Sequence, residues 1–178
     1  MKNNLPRIYL DMDGVLVDFE KQLVDTVKMP ISQWMKLDRK KRWDPVIARK
    51  DFWSTAPWNN EGKKLLQFVK KYNPHILSAY VEESYDPNCI PGKTAWLRKN
   101  ARITDKSKIN LVRRKEKKNF ATKGGQKNIL IDDYIKNVRE FTSAGGIGIP
   151  KGLHIALVGG LFCANFLVFT FFGSIFIS

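Results

Sequence analysis

Residues 8–16, IYLDMDGVL, decide the fold of this chain. A short apolar run ends abruptly at Asp11, and a second acid, Asp13, follows two residues later. Apolar runs of this length are typical of strands that are buried on both faces, as in a parallel sheet. The same pattern occurs at residues 76–78 (ILS) and 129–133 (ILIDD). Three buried strands are therefore predicted, each with polar side chains at its carboxyl end.

The segments between these strands have helical periodicity. One of them carries four residues on a shared apolar face, Leu65, Leu66, Val69 and Tyr72. A second has this spacing at Ile135, Val138 and Phe141, and a glycine pair stops it. Residues 109–112 and 147–149 are candidates for two further strands. We therefore predict an α/β fold, a Rossmann-like parallel sheet flanked by helices, with the functional site where the strands' carboxyl ends meet.

Residues 19–60 have a different composition. They contain prolines, several basic residues and four tryptophans, which are Trp34, Trp43, Trp53 and Trp58. We interpret this segment as a small, mostly helical cap inserted after the first strand. A chain of 178 residues has room for one ordinary domain, and we assign that domain to residues 1–150.

Asp11 and Asp13 are the first candidates for chemistry. Side chains two residues apart on a strand point the same way, although a turn at Gly14 can alter this. A carboxylate pair can hold a hard cation such as Mg²⁺. One of the two can also attack phosphorus while the other transfers the proton. A D-x-D pattern is common by chance, so it indicates a catalytic site only when the neighbouring residues support that interpretation.

Those surroundings resemble the haloacid dehalogenase (HAD) superfamily, whose first motif is D-x-D-G-[VT] after an apolar strand. The resemblance implies a HAD-like fold, with Asp11 as the nucleophile and Asp13 as the general acid/base. The second motif is a Ser or Thr that ends the next core strand, and Ser78 matches it. By the resemblance, Ser78 donates a hydrogen bond to the phosphoryl group. Taken alone, it can equally be an ordinary serine at a strand end.

The superfamily's fourth motif is a strand that closes in paired acids, and residues 130–134, LIDDY, fit it. The resemblance makes Asp132 a Mg²⁺ ligand together with Asp11 and Asp13. It gives Asp133 the role of contacting a metal ligand or capping the next helix. Clustered carboxylates repel one another without a cation, which is an independent reason to expect Mg²⁺.

The third motif is a lysine that balances charge between the nucleophile and the phosphate. Lys117 and Lys118 are both placed for it. We favour Lys117 as the catalytic residue, because similar proteins have a lysine four residues before the alanine, here Ala121. Lys118 is assigned to substrate binding. Either lysine can equally be a surface residue of the basic run around it.

Residues 51–53 (DFW), 57–58 (PW) and 130–137 resemble the phage-type members of the 5′(3′)-deoxyribonucleotidase-like proteins. The resemblance covers residues 7–150. In that subfamily, aromatic residues of the cap pack against the nucleobase, although aromatic residues at these spacings are also typical of a core. The candidate substrate contacts are Phe19, Phe52, Trp53, Trp58, Ser78, Ala79 and Lys118.

The chain is strongly basic. It has 31 Lys and Arg against 17 Asp and Glu, which gives a formal charge of +14. Between Arg98 and Lys127 there are twelve basic residues and two acidic ones. This run is either a solvated face or an electrostatic funnel for a phosphate-bearing substrate or for nucleic acid.

Three other features carry no function in our interpretation. Residues 91–94, PGKT, end like a phosphate-binding P-loop, but the upstream glycine and the preceding apolar strand are missing. His75 and His154 have no plausible partner for metal binding. Cys89 and Cys163 suit neither a zinc site nor a disulfide framework, so a reducing, cytoplasmic location is expected.

Residues 153–178 contain no Asp, Glu, Lys or Arg. The run is long enough to cross a bilayer as a helix, which needs about 20 apolar residues. Two interpretations stay open. One is a membrane anchor that leaves the basic domain on the cytoplasmic side, and the other is an aberrant or fused reading frame. The resemblance ends before this tail, so the expected catalytic domain is complete without it.

The function expected from these features is Mg²⁺-dependent hydrolysis of (deoxy)ribonucleoside monophosphates through an aspartyl-phosphate on Asp11. A phosphatase for polynucleotide ends is the alternative among enzymes, and the basic run suggests it. A non-catalytic module that binds nucleic acid or a membrane is the alternative outside enzymes. Three clustered acids argue against such a module. A homodimer is compatible with all of these functions.

Overall fold

The computed structural model describes residues 5–151. Its main sheet has five strands, β1 (Ile8–Leu10), β2 (His75–Ala79), β3 (Ile109–Val112), β6 (Ile129–Asp132) and β7 (Ile147–Pro150). A separate antiparallel hairpin of β4 (Thr122–Lys123) and β5 (Gln126–Lys127) precedes β6. All five predicted strands are therefore confirmed. The apolar runs form them because the parallel sheet buries both faces.

The order of the main sheet is β3-β2-β1-β6-β7, and every neighbouring pair is parallel. The chain therefore builds one half of the sheet outward from β1, then returns to the other side of β1 with β6. In a doubly wound sheet, ligands bind in the crevice outside the carboxyl ends of the strands at such a switch point. The crevice here lies beside the ends of β1 and β6, where Asp11 and Asp132 are found.

Helices connect the strands. They are α1 (Phe19–Val27), α2 (Ile31–Trp34), α3 (Arg39–Ala48), α4 (Gly62–Val69), α5 (Cys89–Trp96) and α6 (Ile135–Ser143). Short 3-10 segments occupy Lys70–Tyr72, Lys106–Lys108 and Arg114–Phe120, and a π-helical turn, Leu97–Ala101, follows α5. The sequence therefore alternates between strands and helices as predicted.

The predicted apolar faces fit their helices with one exception. On α4, Leu65 and Val69 are buried against the sheet. On α6, Val138 and Phe141 are buried, but Ile135 is 47% exposed, so its placement on the buried face was wrong. Ile135 lies in the first turn of α6, where the helix has only just left the edge of the sheet.

Residues 19–60 contain α1, α2 and α3, which confirms the predicted helical segment after β1. These helices share a small core of their own, formed by Leu23, Trp34, Val46, Phe52, Trp53 and Cys89. Cys89 belongs to α5, so this core is continuous with a helix that packs beside the sheet. The division of the chain into a cap and a catalytic domain remains a prediction.

Within residues 5–151, none of the helices is both long and apolar enough to span a membrane. The tail at 153–178, with His154 and Cys163, lies outside the described residues. The membrane-anchor and reading-frame interpretations of the tail therefore stay open.

Candidate active site

Asp11 lies at the carboxyl end of β1 and is 5% exposed. Its backbone N–H continues the sheet by donating to the Ile131 carbonyl at 2.9 Å. Its side chain is held from two sides. Oδ1 accepts a hydrogen bond from the Met12 N–H at 2.7 Å, and Oδ2 lies 2.9 Å from Lys117 Nζ. The carboxylate therefore has a fixed orientation at the edge of the sheet.

Lys117 reaches this carboxylate from the 3-10 segment that follows β3. It is 2% exposed, and its ammonium also lies 2.7 Å from Asp132 Oδ2. Burial disfavours the charged lysine, but Asp11 and Asp132 outweigh that cost and raise its pKa above the ordinary value. Lys118, the next residue, is exposed. Of the two lysines considered in the sequence, the structure places Lys117 in the site.

Asp132 ends β6 and is completely buried. Both of its carboxylate oxygens accept from Asn137 Nδ2, at 3.1 and 3.0 Å, and Oδ1 also accepts from the Tyr134 N–H at 2.9 Å. Burial raises its pKa most, and the nearby Asp11 carboxylate raises it further, while Lys117 lowers it. Asp132 thus anchors the start of α6 in addition to facing Asp11. The N-cap residue of α6 is Tyr134, whose side chain makes no capping hydrogen bond.

Three carboxylates offer oxygens that lie within 4.8 Å of one another, those of Asp11, Asp132 and Asp133. This donor set differs from the predicted one, because it includes Asp133 and leaves out Asp13. Burial, followed by the charges of Asp11 and Asp132, raises the pKa of Asp133 to about 7. Such mutual repulsion is what a bound divalent cation relieves.

Asp133 owes its place to Gly14. The glycine has φ +70°, and a Cβ added to it would lie 1.8 Å from Asp133 Oδ2. The carboxylate thus fills the space that any side chain at position 14 would need. The D-x-D-G turn and the paired acids after β6 are therefore complementary in shape as well as close in space.

Asp13 turns away from the three-carboxylate group. Its Oδ2 lies 2.6 Å from Lys93 Nζ, and its Oδ1 is buried with no hydrogen-bond partner among the described residues. Burial raises the pKa of Asp13, and Asp11 adds to the increase, while Lys93 opposes it. Asp11 and Asp13 therefore engage different lysines, since the chain leaves the strand between them.

Lys93 is the site residue that the sequence interpretation missed. It is fully buried, and besides Asp13 it donates to Ser78 Oγ at 3.2 Å and to the Ala79 carbonyl at 2.7 Å. Residues 91–94, which include Lys93, form part of α5 and not a P-loop. A usable signal was present, because Cys89, Lys93 and Trp96 share one helical face, and a lysine on an apolar face calls for a buried partner.

The structure places the predicted aromatic contacts unequally. Phe52 is 1% and Trp53 is 4% exposed, so neither offers a free ring face to a substrate. Trp53 instead donates from Nε1 to Asp86 Oδ2 at 2.6 Å, and the Lys93 ammonium lies 4.9 Å from its ring centre. Phe19 and Trp58 are half-buried. These two remain the candidates for contact with a base.

The donor set fits a divalent cation. Asp11, Asp132 and Asp133 bring three carboxylates together, and the buried Lys117 ammonium contacts two of them. Oxygen ligands of this kind suit Mg²⁺, which binds proteins through few carboxylates and keeps several waters. Another ammonium, that of Lys151, donates to the Gly14 carbonyl at 2.5 Å on the outer side of the turn.

No family model matches this chain, and no curated protein matches it in sequence. A solved structure described as a hydrolase from Streptococcus pneumoniae TIGR4 is similar at a TM-score of 0.49, with 9% identity over 89% of this chain and 98% of that one. A second, described as a hydrolase from Pseudomonas syringae, has a TM-score of 0.44, with 14% identity over 88% of this chain and 90% of that one. Similarity at this level carries no argument about activity.

The fold and the site define the chain as a doubly wound α/β protein with an acid–lysine centre at its switch point. One lysine joins the acids that end β1 and β6, and a second joins Asp13 to the end of β2. Such a centre can bind a divalent cation and a phosphoryl group next to a fixed carboxylate.

Proposed function

We propose that this chain is a Mg²⁺-dependent phosphomonoester hydrolase of the HAD type, acting on (deoxy)ribonucleoside monophosphates through an aspartyl-phosphate on Asp11. The observation that carries the proposal is the position of the Asp11 carboxylate. It is fixed by Lys117 and the Met12 N–H, next to two further carboxylates at the crevice of the sheet. The resemblance of residues 7–150 to the deoxyribonucleotidase-like proteins supports the substrate class.

Asp11 is suited to be the nucleophile. Its two hydrogen-bonding partners keep the carboxylate oriented, and the Lys117 ammonium stabilises its charged form. In the first step a carboxylate oxygen of Asp11 bonds to phosphorus, and the bond from phosphorus to the leaving oxygen breaks. In the second step water attacks phosphorus and restores the carboxylate. Splitting the reaction in this way is the general benefit of covalent catalysis.

Asp13 is suited to move the proton. Its Oδ1 is buried without a hydrogen-bond partner in the described part of the chain, so this oxygen can carry the proton that the leaving oxygen needs, and burial raises the pKa of the carboxyl. That proton passes to the leaving oxygen in the first step. The resulting carboxylate then takes a proton from the attacking water. Lys93 holds the other oxygen, Oδ2, so that the carboxyl group keeps one orientation through both steps.

Ser78 and Lys117 are suited to bind the phosphoryl oxygens. Because Ser78 Oγ accepts a hydrogen bond from Lys93, its own O–H can donate to a bound phosphate. Asp11, Asp132 and Asp133 would hold Mg²⁺, which supplies charge neutralisation and orientation of the phosphate. Phe19 and Trp58 are the candidates for contact with the base.

Phosphate release from a panel of nucleoside monophosphates tests the proposal, with the full chain and with or without Mg²⁺. We expect Mg²⁺-dependent release from the wild type and none from Asp11→Asn. Asp25→Asn is the matched control, because Asp25 is an exposed carboxylate whose only ion-pair partner among the described residues is Lys21 on α1. Equal turnover by the two variants would overturn the mechanism.

A further inference from the structure

A groove of about 740 Å³ lies beyond the carboxyl ends of β2 and β3, outside the acid–lysine centre. Its volume is within the range of small-molecule sites. Three aromatic residues line it, Trp43, Tyr80 and Tyr85, together with the three basic residues that follow β3 and two acids, Glu82 and Glu116. Neither the residues assigned to catalysis nor those assigned to base contact belong to this groove.

Two stretches of chain contribute residues both to the groove and to the proposed catalytic site. Tyr80 directly follows Ala79, whose carbonyl accepts from Lys93. Lys115 belongs to the same 3-10 segment as Lys117, but its side chain is exposed whereas that of Lys117 is buried. The Tyr80 N–H donates to the Val112 carbonyl at 3.1 Å, so the two walls are joined. The groove and the proposed catalytic site are therefore built by the same two stretches of chain.

Two of the basic residues in the groove are available to an anion. Arg113 pairs with Glu82 at 3.3 Å, but these side chains are 62% and 55% exposed, and exposed pairs of this kind are weak. Lys115 is exposed and takes part in no ion pair among residues 5–151. Arg114, by contrast, is held by Glu140 at 2.9 Å and is already neutralised. Arg113 and Lys115 can thus bind phosphate without breaking a buried pair.

The aromatic wall is rigid. The Trp43 ring is stacked on Trp53 at 6.5 Å and 21°, and it meets Trp34 edge to face at 5.7 Å. Packing on these neighbours fixes the indole while part of it still lines the groove. Aromatic surfaces next to exposed cations are the combination by which proteins bind single-stranded nucleic acid, through base stacking and phosphate contacts.

We propose that this groove binds the nucleotide next to a terminal phosphate, so that the preferred substrate is a phosphorylated end of a single-stranded oligonucleotide. The inference rests on the proposed function, because it places the terminal phosphate at Asp11. The next base lies against Trp43 and Tyr80, and the next phosphate lies at Arg113 and Lys115.

Two measurements on the full chain test this proposal. The first is kcat/KM for a short 3′-phosphorylated oligonucleotide and for the corresponding mononucleotide. We expect the double variant R113A/K115A to lower the preference for the oligonucleotide at least tenfold. The control is K106A/K123A, which removes the same charge from exposed lysines before β3 and in β4 that do not line the groove. An unchanged preference in R113A/K115A, or an equal loss in the control, would overturn the proposal.

The second measurement is the affinity of Asp11→Asn for the oligonucleotide as a function of salt, with and without the R113A/K115A substitutions. A binding measurement of this kind needs no turnover. R113A/K115A removes the cations that neutralise one phosphate, so in this background it should flatten the slope of log K against log salt by about 0.7 for a single strand. Groove-dependent binding without phosphate release from any wild-type substrate would overturn the proposed function and leave the groove's ligand class standing. Turnover of mononucleotides without groove-dependent oligonucleotide binding would overturn the groove's ligand and leave the proposed function standing.

Discussion

The ammonium group of Lys93 lies 2.6 Å from Asp13 Oδ2, although 80 residues separate the two in the chain. The same group contacts Ser78 and the end of β2. A single buried lysine therefore fixes the carboxyl that we assign to proton transfer and the hydroxyl that we assign to phosphate binding. This places α5 in the proposed catalytic site as an element that positions two of its groups.

Replacing Lys93 by methionine should lower kcat/KM by about 100-fold, because a positioned acid/base contributes that order of rate acceleration. Loss of the ammonium leaves Asp13 and Ser78 without a shared partner. The matched control is Lys99→Met, at an exposed position of the π-helical turn that follows α5. Steady-state kinetics together with circular dichroism would separate a lost function from a lost fold. Wild-type activity in a folded Lys93→Met would contradict the role.

Lys117 and Lys118 form a natural pair of test and control. Lys117→Met leaves the carboxylates of Asp11 and Asp132 buried without their common cation. We therefore expect the free energy of unfolding to fall by about 3 kcal/mol. Lys118→Met removes an exposed charge and should change the unfolding free energy by less than about 0.5 kcal/mol. Urea unfolding of both variants measures the difference. Similar values for the two would show that Lys117 is not the buried partner of these acids.

Mg²⁺ should stabilise the folded chain, because it neutralises carboxylates that repel one another only in the folded state. At a concentration of 100 times Kd, the gain in unfolding free energy is about 2.7 kcal/mol. Thermal unfolding with increasing Mg²⁺ measures it. Asp133→Asn should weaken the Mg²⁺ effect, whereas the exposed Asp25→Asn should leave it intact. A melting temperature that does not respond to Mg²⁺ would argue against the metal site.

Gly14→Ala should perturb the site through a steric clash with Asp133. Its control is Gly124→Ala, because both glycines have positive φ, +70° and +58°, but nothing lies within 4 Å of a Cβ at position 124. The loss of stability in Gly124→Ala thus measures only the cost of placing a residue with a Cβ in the left-handed conformation, which is about 1–2 kcal/mol. We expect a clearly larger loss for Gly14→Ala, accompanied by weaker Mg²⁺ binding. Equal losses of unfolding free energy in the two variants would mean that the Asp133 side chain moves aside at no energetic cost.

His75 gives a prediction for the pH dependence of stability. Burial, and after it the charges of Arg7 and Lys108, lowers its pKa below 6.5, while Asp105 and the Ser107 backbone oppose this. The unfolded chain therefore binds this proton more tightly. Its contribution to stability is fully present above pH ~6.5 and is lost as the pH falls toward the folded pKa. The difference in unfolding free energy between wild type and His75→Gln should shrink over this interval, and a constant difference would contradict it.

Much of the fold could be predicted from the sequence because its signals are local. A strand buried on both faces reads as a continuous apolar run, so β1, β2 and β6 were recognisable with the polar residues at their ends. The convergence of Asp11, Ser78 and Asp132 at one edge then follows from parallel strand direction. Ile135 was misplaced because periodicity alone does not show where a helix starts to contact the sheet.

The remaining site features depend on tertiary contacts that no local pattern encodes. Asp133 joins the carboxylate group because Gly14 leaves room for it. Only the resemblance favours Lys117 over Lys118 in the sequence, since the direction of each side chain is set by the 3-10 segment that carries them. The sequence around Lys93 resembles the end of a P-loop, and the role of this lysine depends on the apolar helix face that it shares with Cys89 and Trp96.

The most direct test of the central claim is to trap the covalent intermediate on Asp11. In Asp13→Asn the nucleophile remains, but the side chain that we assign to activating water is gone. With Mg²⁺ and an aryl phosphate, whose phenolate leaving group needs no proton from Asp13, a phosphorylated enzyme should accumulate. Peptide mass spectrometry would then find one added phosphoryl group on the peptide that contains Asp11, and none in Asp11→Asn. Phosphate release by the wild type with no phosphoryl group on that peptide, together with retained turnover in Asp11→Asn, would contradict the account.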